Sequence, residues 1–236
     1  MQAVIVAGGR GRRMRESGAS VPKPLVALAG QPLIAHIAAH LQRHGFSRIV
    51  VAVGERAATV MRGVELINAQ NRGLELECVD TGKDTGNAGR LLHLREALTE
   101  PRFLMCWCDV VSDLDLGALV EVHREHGRLA TLAAVPEPAR FGYLTLEGDR
   151  ILELREKESG DRRWINAGYA MLESAVLDRI QDSSESWEHQ TLPGLIADDQ
   201  VRAFCHEGNW QAVDSLADRD RLELEIQQGR CPWLAS

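Results

Sequence analysis

The chain has 236 residues, 44% of them hydrophobic, and its 34 acidic and 27 basic side chains leave a formal net charge of −7. That is enough apolar material for one full core. The acidic balance argues against a nucleic-acid partner, and no apolar run approaches the roughly 18 residues that cross a bilayer. The first residues lack the charged and apolar regions of an export signal, and five scattered cysteines suit a reducing compartment, so a cytoplasmic protein is expected.

The chain opens on an apolar run, residues 3–7, in which nothing alternates with polar residues, and this reads as a strand buried on both faces. The run ends at Ala7 and leads into Gly8, Gly9 and Gly11, where the backbone can turn sharply and bring N–H groups close to an anion. Arg10, Arg12, Arg13 and the proline-flanked Lys23 add positive charge suited to a polyphosphate. The dinucleotide-binding pattern G-x-G-x-x-G/A fails here, because Met14 stands where its third small residue belongs. No Gly-Lys-Ser/Thr occurs anywhere, which excludes a P-loop.

Further strands are expected at residues 49–53, 74–79, 103–106 and 130–135, with helices at 33–43, 57–68, 87–98 and 116–126 between them. That alternation predicts an α/β chain with a doubly wound, mostly parallel sheet whose ligands sit beyond the strand carboxyl ends. After residue 136 the pattern changes to a hairpin (142–146 and 150–154), short strands at 165–171 and 201–206, and a closing helix at 215–228. No linker divides the chain, so one domain is expected, with its second half a lid or a substrate-facing layer.

Asp109 ends one predicted strand and Asp214 follows another, after Gly208-Asn-Trp210-Gln-Ala-Val213. A lone aspartate there would read as a helix cap, as Asp113, Asp115 or Asp214 could be. Two strand-end carboxylates beside a glycine loop read instead as hard oxygen ligands that share one Mg²⁺ with a triphosphate.

Ala7-Gly-Gly-x-Gly-x-Arg13 followed by Lys23 resembles the signature of the sugar-1-phosphate nucleotidyltransferases, with Arg12 where threonine is usual. Val79-Asp80-Thr-Gly-Lys83-Asp84-Thr85, Gly89-Arg90-Leu91, Arg140-Phe141-Gly142, Glu156-Lys157 and Trp164-Ile-Asn166-Ala-Gly168-Tyr169 follow in the order of the branch that joins CTP to glucose 1-phosphate. The resemblance spans nearly the whole chain. It implies a Rossmann-like αβα nucleotidyltransferase fold with a small C-terminal β/α sugar-binding extension. It also implies a Mg²⁺-dependent homo-oligomer acting on a nucleoside triphosphate and a sugar 1-phosphate, with no membrane partner. Residues 1–135 would form the nucleotide-binding half and 136–236 the sugar-phosphate half.

The same resemblance assigns nucleotide contact to Ala7, Gly8, Gly9, Gly11, Arg12, Arg13 and Lys23, with base recognition near Asp84, Thr85 and Gly89. It places metal at Asp109 and Asp214, catalysis at Arg13, Lys23, Asp109 and Asp214, and sugar phosphate at Gly142, Glu156, Lys157, Asn166, Gly168 and Trp210. Departures stand at Cys108, Val110 and Asn87-Ala88, so UTP, dTTP or another sugar phosphate are alternatives, as is a binding protein of the same fold without turnover. His36, His40 and His44 lie four apart and are expected to form a surface or subunit-facing stripe on one helix face rather than a metal site.

Overall fold

A computed structural model describes residues 1–9, 11–70, 75–137, 143–147, 150–155, 163–231 and 234. In chain order the first half runs β1 (Gln2–Val6), α1 (Arg12–Glu16), β2 (Ala27–Leu28), β3 (Gln31–Pro32), α2 (Leu33–Arg43), β4 (Arg48–Val53), α3 (Ala57–Gln70) and β5 (Glu75–Asp80). It continues through α4 (Asn87–His93), β6 (Arg102–Trp107), β7 (Val110–Ser112), α5 (Leu116–His126) and β8 (Ala130–Pro136). The second half holds β9 (Tyr143–Glu147), β10 (Arg150–Arg155), β11 (Trp164–Glu173), α6 (Leu192–Ala197), β12 (Val201–Cys205), β13 (Trp210–Ala212) and α7 (Leu216–Gln227).

The central sheet has seven strands in the order β12-β8-β11-β6-β1-β4-β5. The contacts β1–β4, β1–β6, β4–β5 and β8–β12 are parallel, while β11 runs antiparallel between β6 and β8. The expected doubly wound, mostly parallel sheet is therefore present. The second half is not simply a layer laid on the first, since β11 and β12 are strands of this sheet.

The unbroken apolar character of the inner strands follows from their two-sided burial. Ala3 and Ile5 of β1, Ile49, Val51 and Val53 of β4, and Leu104 and Cys106 of β6 pack into one core, where side chains of α2, α3, α5 and α7 cover them. Val4, Val50, Ala52, Phe103 and Met105 point the other way, onto α4, the 3₁₀ turn Ser174–Arg179, Trp187 and α6. Each strand alternates between the cores with period two.

Two predicted helices, at residues 33–43 and 116–126, match α2 and α5 residue for residue. The helix expected at 87–98 stops at His93, and i→i−3 bonds from Arg95 N to Leu92 O and Ala97 N to Leu94 O carry the chain in tight turns to β6. His40 corrects the surface-stripe expectation. It is buried in the α2 interface, its ring 6.3 Å from that of Tyr169, and burial drives its pKa down to about 4, with His44 and Arg43 adding to the effect. His36 is tied to the Leu28 carbonyl at 2.8 Å.

Candidate active site

The carboxyl ends of β1 and β6 border a cavity of about 350 Å³, lined by Ala7, Gly9, Gly11, Arg13 and Lys23 and by Thr85, Asn87, Arg90, Trp107, Cys108, Asp109 and Asp214. Gly11 holds φ at +54°, a left-handed conformation that glycine adopts without strain, and this turns the chain from the loop into α1. Lys23 begins a 3₁₀ turn, Lys23–Leu25, whose entry and second residue are Pro22 and Pro24. The fixed φ of the two prolines stiffens the segment that carries the ammonium.

The two aspartates meet because of a short ladder. β7 pairs antiparallel with β13, opposing Ala212 to Val110, and Val213 N donates to Asp109 O at 2.9 Å. Residues 105 apart in sequence are thereby placed side by side at the cavity floor. Asp214 does not cap α7. Ser215 does, accepting from Asp218 N at 3.2 Å while Asp218 Oδ2 accepts from Ser215 N at 3.0 Å and from Asp214 N at 3.2 Å. This capping box fixes the backbone of Asp214 and leaves its carboxylate for the cavity. Asp115, not Asp113, caps α5, accepting from Ala118 N at 3.0 Å.

Lys23 Nζ donates to Asp109 Oδ2 at 2.8 Å and to Asp214 Oδ1 at 2.6 Å, while Arg13 donates to Asp214 Oδ2 at 2.6 Å. Burial alone would lower the Lys23 pKa, but Asp109 and Asp214 together outweigh it and hold the ammonium above the ordinary lysine value. Two carboxylate oxygens that converge on one cation are a donor set that fits Mg²⁺, which takes one or two carboxylates and fills its other positions with phosphate oxygens and water. Cys108, beside Asp109, is buried, and this pushes its thiol up to about 12. It serves as a neutral wall.

Arg90, to which the sequence reading gave no role, is the residue it missed. Its side chain crosses beneath the glycine loop, with NH2 donating to Gly8 O at 2.9 Å and NH1 to Gly82 O at 2.8 Å and Thr81 Oγ1 at 2.5 Å. Nothing in a local pattern marks an arginine in an amphipathic segment as buried; only the carbonyls of three strand ends do so.

The profile of the nucleotidyl transferase family matches residues 2–218. The chain belongs to that family. A glucose-1-phosphate cytidylyltransferase of Salmonella typhi is 33% identical over 99% of this chain and 98% of its own length. A mannose-1-phosphate guanyltransferase of Gibberella zeae is 31% identical over 100% of this chain and 65% of its own length. Among solved structures, HddC from Yersinia pseudotuberculosis superposes with a TM-score of 0.74 at 19% identity, covering 95% of this chain and 99% of that one, which is a likeness of fold.

For a nucleotidyl transferase, the remaining expected site residues fall in different places. Thr85 lines the cavity and its hydroxyl donates to the Thr81 carbonyl, while Asp84 is exposed on the loop before it. Gly89 packs away from the cavity: its N–H is given to Glu185 O at 3.2 Å, and a Cβ there would stand 2.0 Å from Ser183 O. Asn166 and Gly168 lie at a register break in β11, where Gly168, at φ +80°, accepts no side chain without strain and has Val110 beneath it. Val110, one of the departures from the family pattern, is in the core. Trp210 gives its indole N–H to Ala167 O at 2.8 Å, bracing that break. Gly142, Glu156, Lys157 and the Arg12 side chain lie outside what the structure describes.

Proposed function

We propose that this chain transfers a cytidylyl group from CTP to a hexose 1-phosphate, α-D-glucose 1-phosphate foremost, giving a CDP-sugar and pyrophosphate. The observation that carries this reading is the convergence of Lys23 and Arg13 on Asp109 and Asp214 beside the glycine loop. The end-to-end likeness to the cytidylyltransferase supplies the choice of base and sugar.

The chemistry needs no general base. A sugar 1-phosphate is largely dianionic at pH 7, since its second pKa is about 6. Its oxygen attacks the α-phosphorus of the nucleotide, the α–β bridging P–O bond breaks, and pyrophosphate leaves with the electron pair. The enzyme has to align attacking and leaving oxygens and to neutralise charge gathered at one phosphorus. Arg13 and Lys23 serve the triphosphate. Asp109 and Asp214 would hold Mg²⁺, which when bound screens the phosphate oxygens as a Lewis acid. Lys157 would bind the sugar phosphate, with Glu156, Asn166, Gly168 and Gly142 around the hexose.

In this reading residues 1–135 carry the nucleotide and 136–236 the sugar phosphate, with β11 as the seam between them. The enzyme acts in the cytoplasm as a homo-oligomer, for which exposed Ile151, Leu152 and Leu224 supply apolar surface. Among the described residues no helix is long and apolar enough to cross a membrane. Turnover of CTP with glucose 1-phosphate, read as pyrophosphate release, tests the proposal; release only with another pair moves the specificity and keeps the chemistry.

A further inference from the structure

Arg90 is buried, yet its hydrogen-bond partners are three carbonyls and one hydroxyl, all of them uncharged: Gly8 O, Gly82 O, Val53 O at 3.4 Å and Thr81 Oγ1. These acceptors sit at the carboxyl ends of β1, β4 and β5, three neighbours in the sheet. The chain has been hollowed out to admit the guanidinium. A Cβ on Gly8 would lie 2.2 Å from its Cζ, and one on Gly54 would lie 2.4 Å from NH1.

That arrangement costs a buried charge, and a charge without a carboxylate hydrogen bond is expensive to bury. It has a consequence at the phosphate site. The carboxyl ends of parallel strands present carbonyl oxygens to the crevice, and these repel a polyphosphate. Arg90 takes up Gly82 O and, shared with Glu55 N at 3.3 Å, Gly8 O, and it adds a longer contact to Val53 O, which Thr81 N and Oγ1 already bond at 2.9 and 2.7 Å. The Gly8–Gly9 peptide is planar and trans, so a Gly8 C=O held on the guanidinium sends the Gly9 N–H of the same peptide the opposite way. Gly9 itself borders the cavity, and a Cβ on it would have nothing within 4 Å.

We propose that Arg90 is a positioning residue for the triphosphate: it locks the Gly8–Gly9 peptide so that the Gly9 N–H faces the phosphates, and it cancels the carbonyl field of three strand ends. It acts through the loop and does not hold the nucleotide base. This deepens the reading of the site as a nucleotidyl transferase but is independent of which base is used.

The test uses tripolyphosphate with Mg²⁺ as a base-free probe, titrated calorimetrically into the intact protein and into Arg90→Lys and Arg90→Ala. Lysine keeps the charge but cannot span the acceptors of a planar fork. Both variants should bind the probe about tenfold or more weakly than the parent. Methylguanidinium should restore much of the affinity to Arg90→Ala, which a general loosening of the fold would not allow. In turnover, KM for the nucleoside triphosphate should rise while KM for the sugar phosphate stays within about twofold. Folded variants that bind tripolyphosphate as the parent does would overturn the assignment. So would unfolding of both variants, which would give Arg90 to the fold alone. Failure of CTP as a substrate would sink the choice of base and leave the tripolyphosphate result standing.

Discussion

Lys23 Nζ stands 2.6 Å from Asp214 Oδ1, although 191 residues separate the two in sequence. The same ammonium reaches Asp109, so one lysine reports the closure of the glycine segment onto the β7–β13 ladder. In the proposed reading, removing either carboxylate takes away one of the two oxygens that would hold Mg²⁺ and one of the two hydrogen bonds on the Lys23 ammonium. Asp109→Ala and Asp214→Ala should each lower kcat by at least about 100-fold, the scale for loss of one fixed electrostatic contact to a transition state. Steady-state pyrophosphate release checks this, with melting temperature as the control for folding.

The capping box behind Asp214 should matter both to stability and to turnover. Asp218→Ala deletes the acceptor for Ser215 N and Asp214 N, and loss of such a cap costs about 1 kcal/mol. Because Asp214 is then held less firmly, kcat should fall along with the urea midpoint. A drop in stability with turnover unchanged would show that the cap serves α7 alone.

Glycines of the chain divide by what surrounds them. A Cβ at Gly89 meets the Ser183 carbonyl at 2.0 Å and so presses on backbone, whereas one at Gly9 meets nothing within 4 Å. Gly89→Ala should therefore destabilise by about 1–3 kcal/mol, as overpacking does, while Gly9→Ala should shift stability by no more than about 0.5 kcal/mol. Chemical denaturation of the pair separates them.

Acid should weaken the fold through His40. With its folded pKa near 4 and the unfolded value near 6.5, the unfolded chain binds the extra proton first as pH falls. The stabilisation is whole above about pH 6.5 and is lost progressively down to pH 4, to the extent of about 3 kcal/mol. His40→Gln, which cannot titrate, should flatten the pH dependence of the denaturation midpoint across that window. An unchanged slope would mean that other groups govern acid unfolding.

The strand-and-helix alternation was legible because buried parallel strands read as unbroken apolar runs and the surface helices between them keep a 3.6-residue stripe. Residues 174–197 were not, since a 3₁₀ turn and the wide π-helical turn Trp187–Thr191 leading into α6 carry no period to detect. In the site, the glycine loop and the two aspartates were visible as residue types after strands, and Lys23 as a cation flanked by prolines. Arg90 was invisible because its partners, three carbonyls and the Thr81 hydroxyl, come together only where β1, β4 and β5 end side by side. Gly89 looked like part of a ligand loop although its small size serves packing on Ser183. His40 read as surface because its burial depends on β7 and β11 closing over α2.

The most direct measurement is pyrophosphate release with Mg²⁺, crossing CTP, UTP, dTTP, ATP and GTP with glucose 1-phosphate, mannose 1-phosphate and other sugar 1-phosphates. The predicted result is a dominant CTP and glucose 1-phosphate signal that Asp109→Ala abolishes. No release from any pair, with CTP still raising the melting temperature, would contradict the enzyme reading and leave a nucleotide-binding protein.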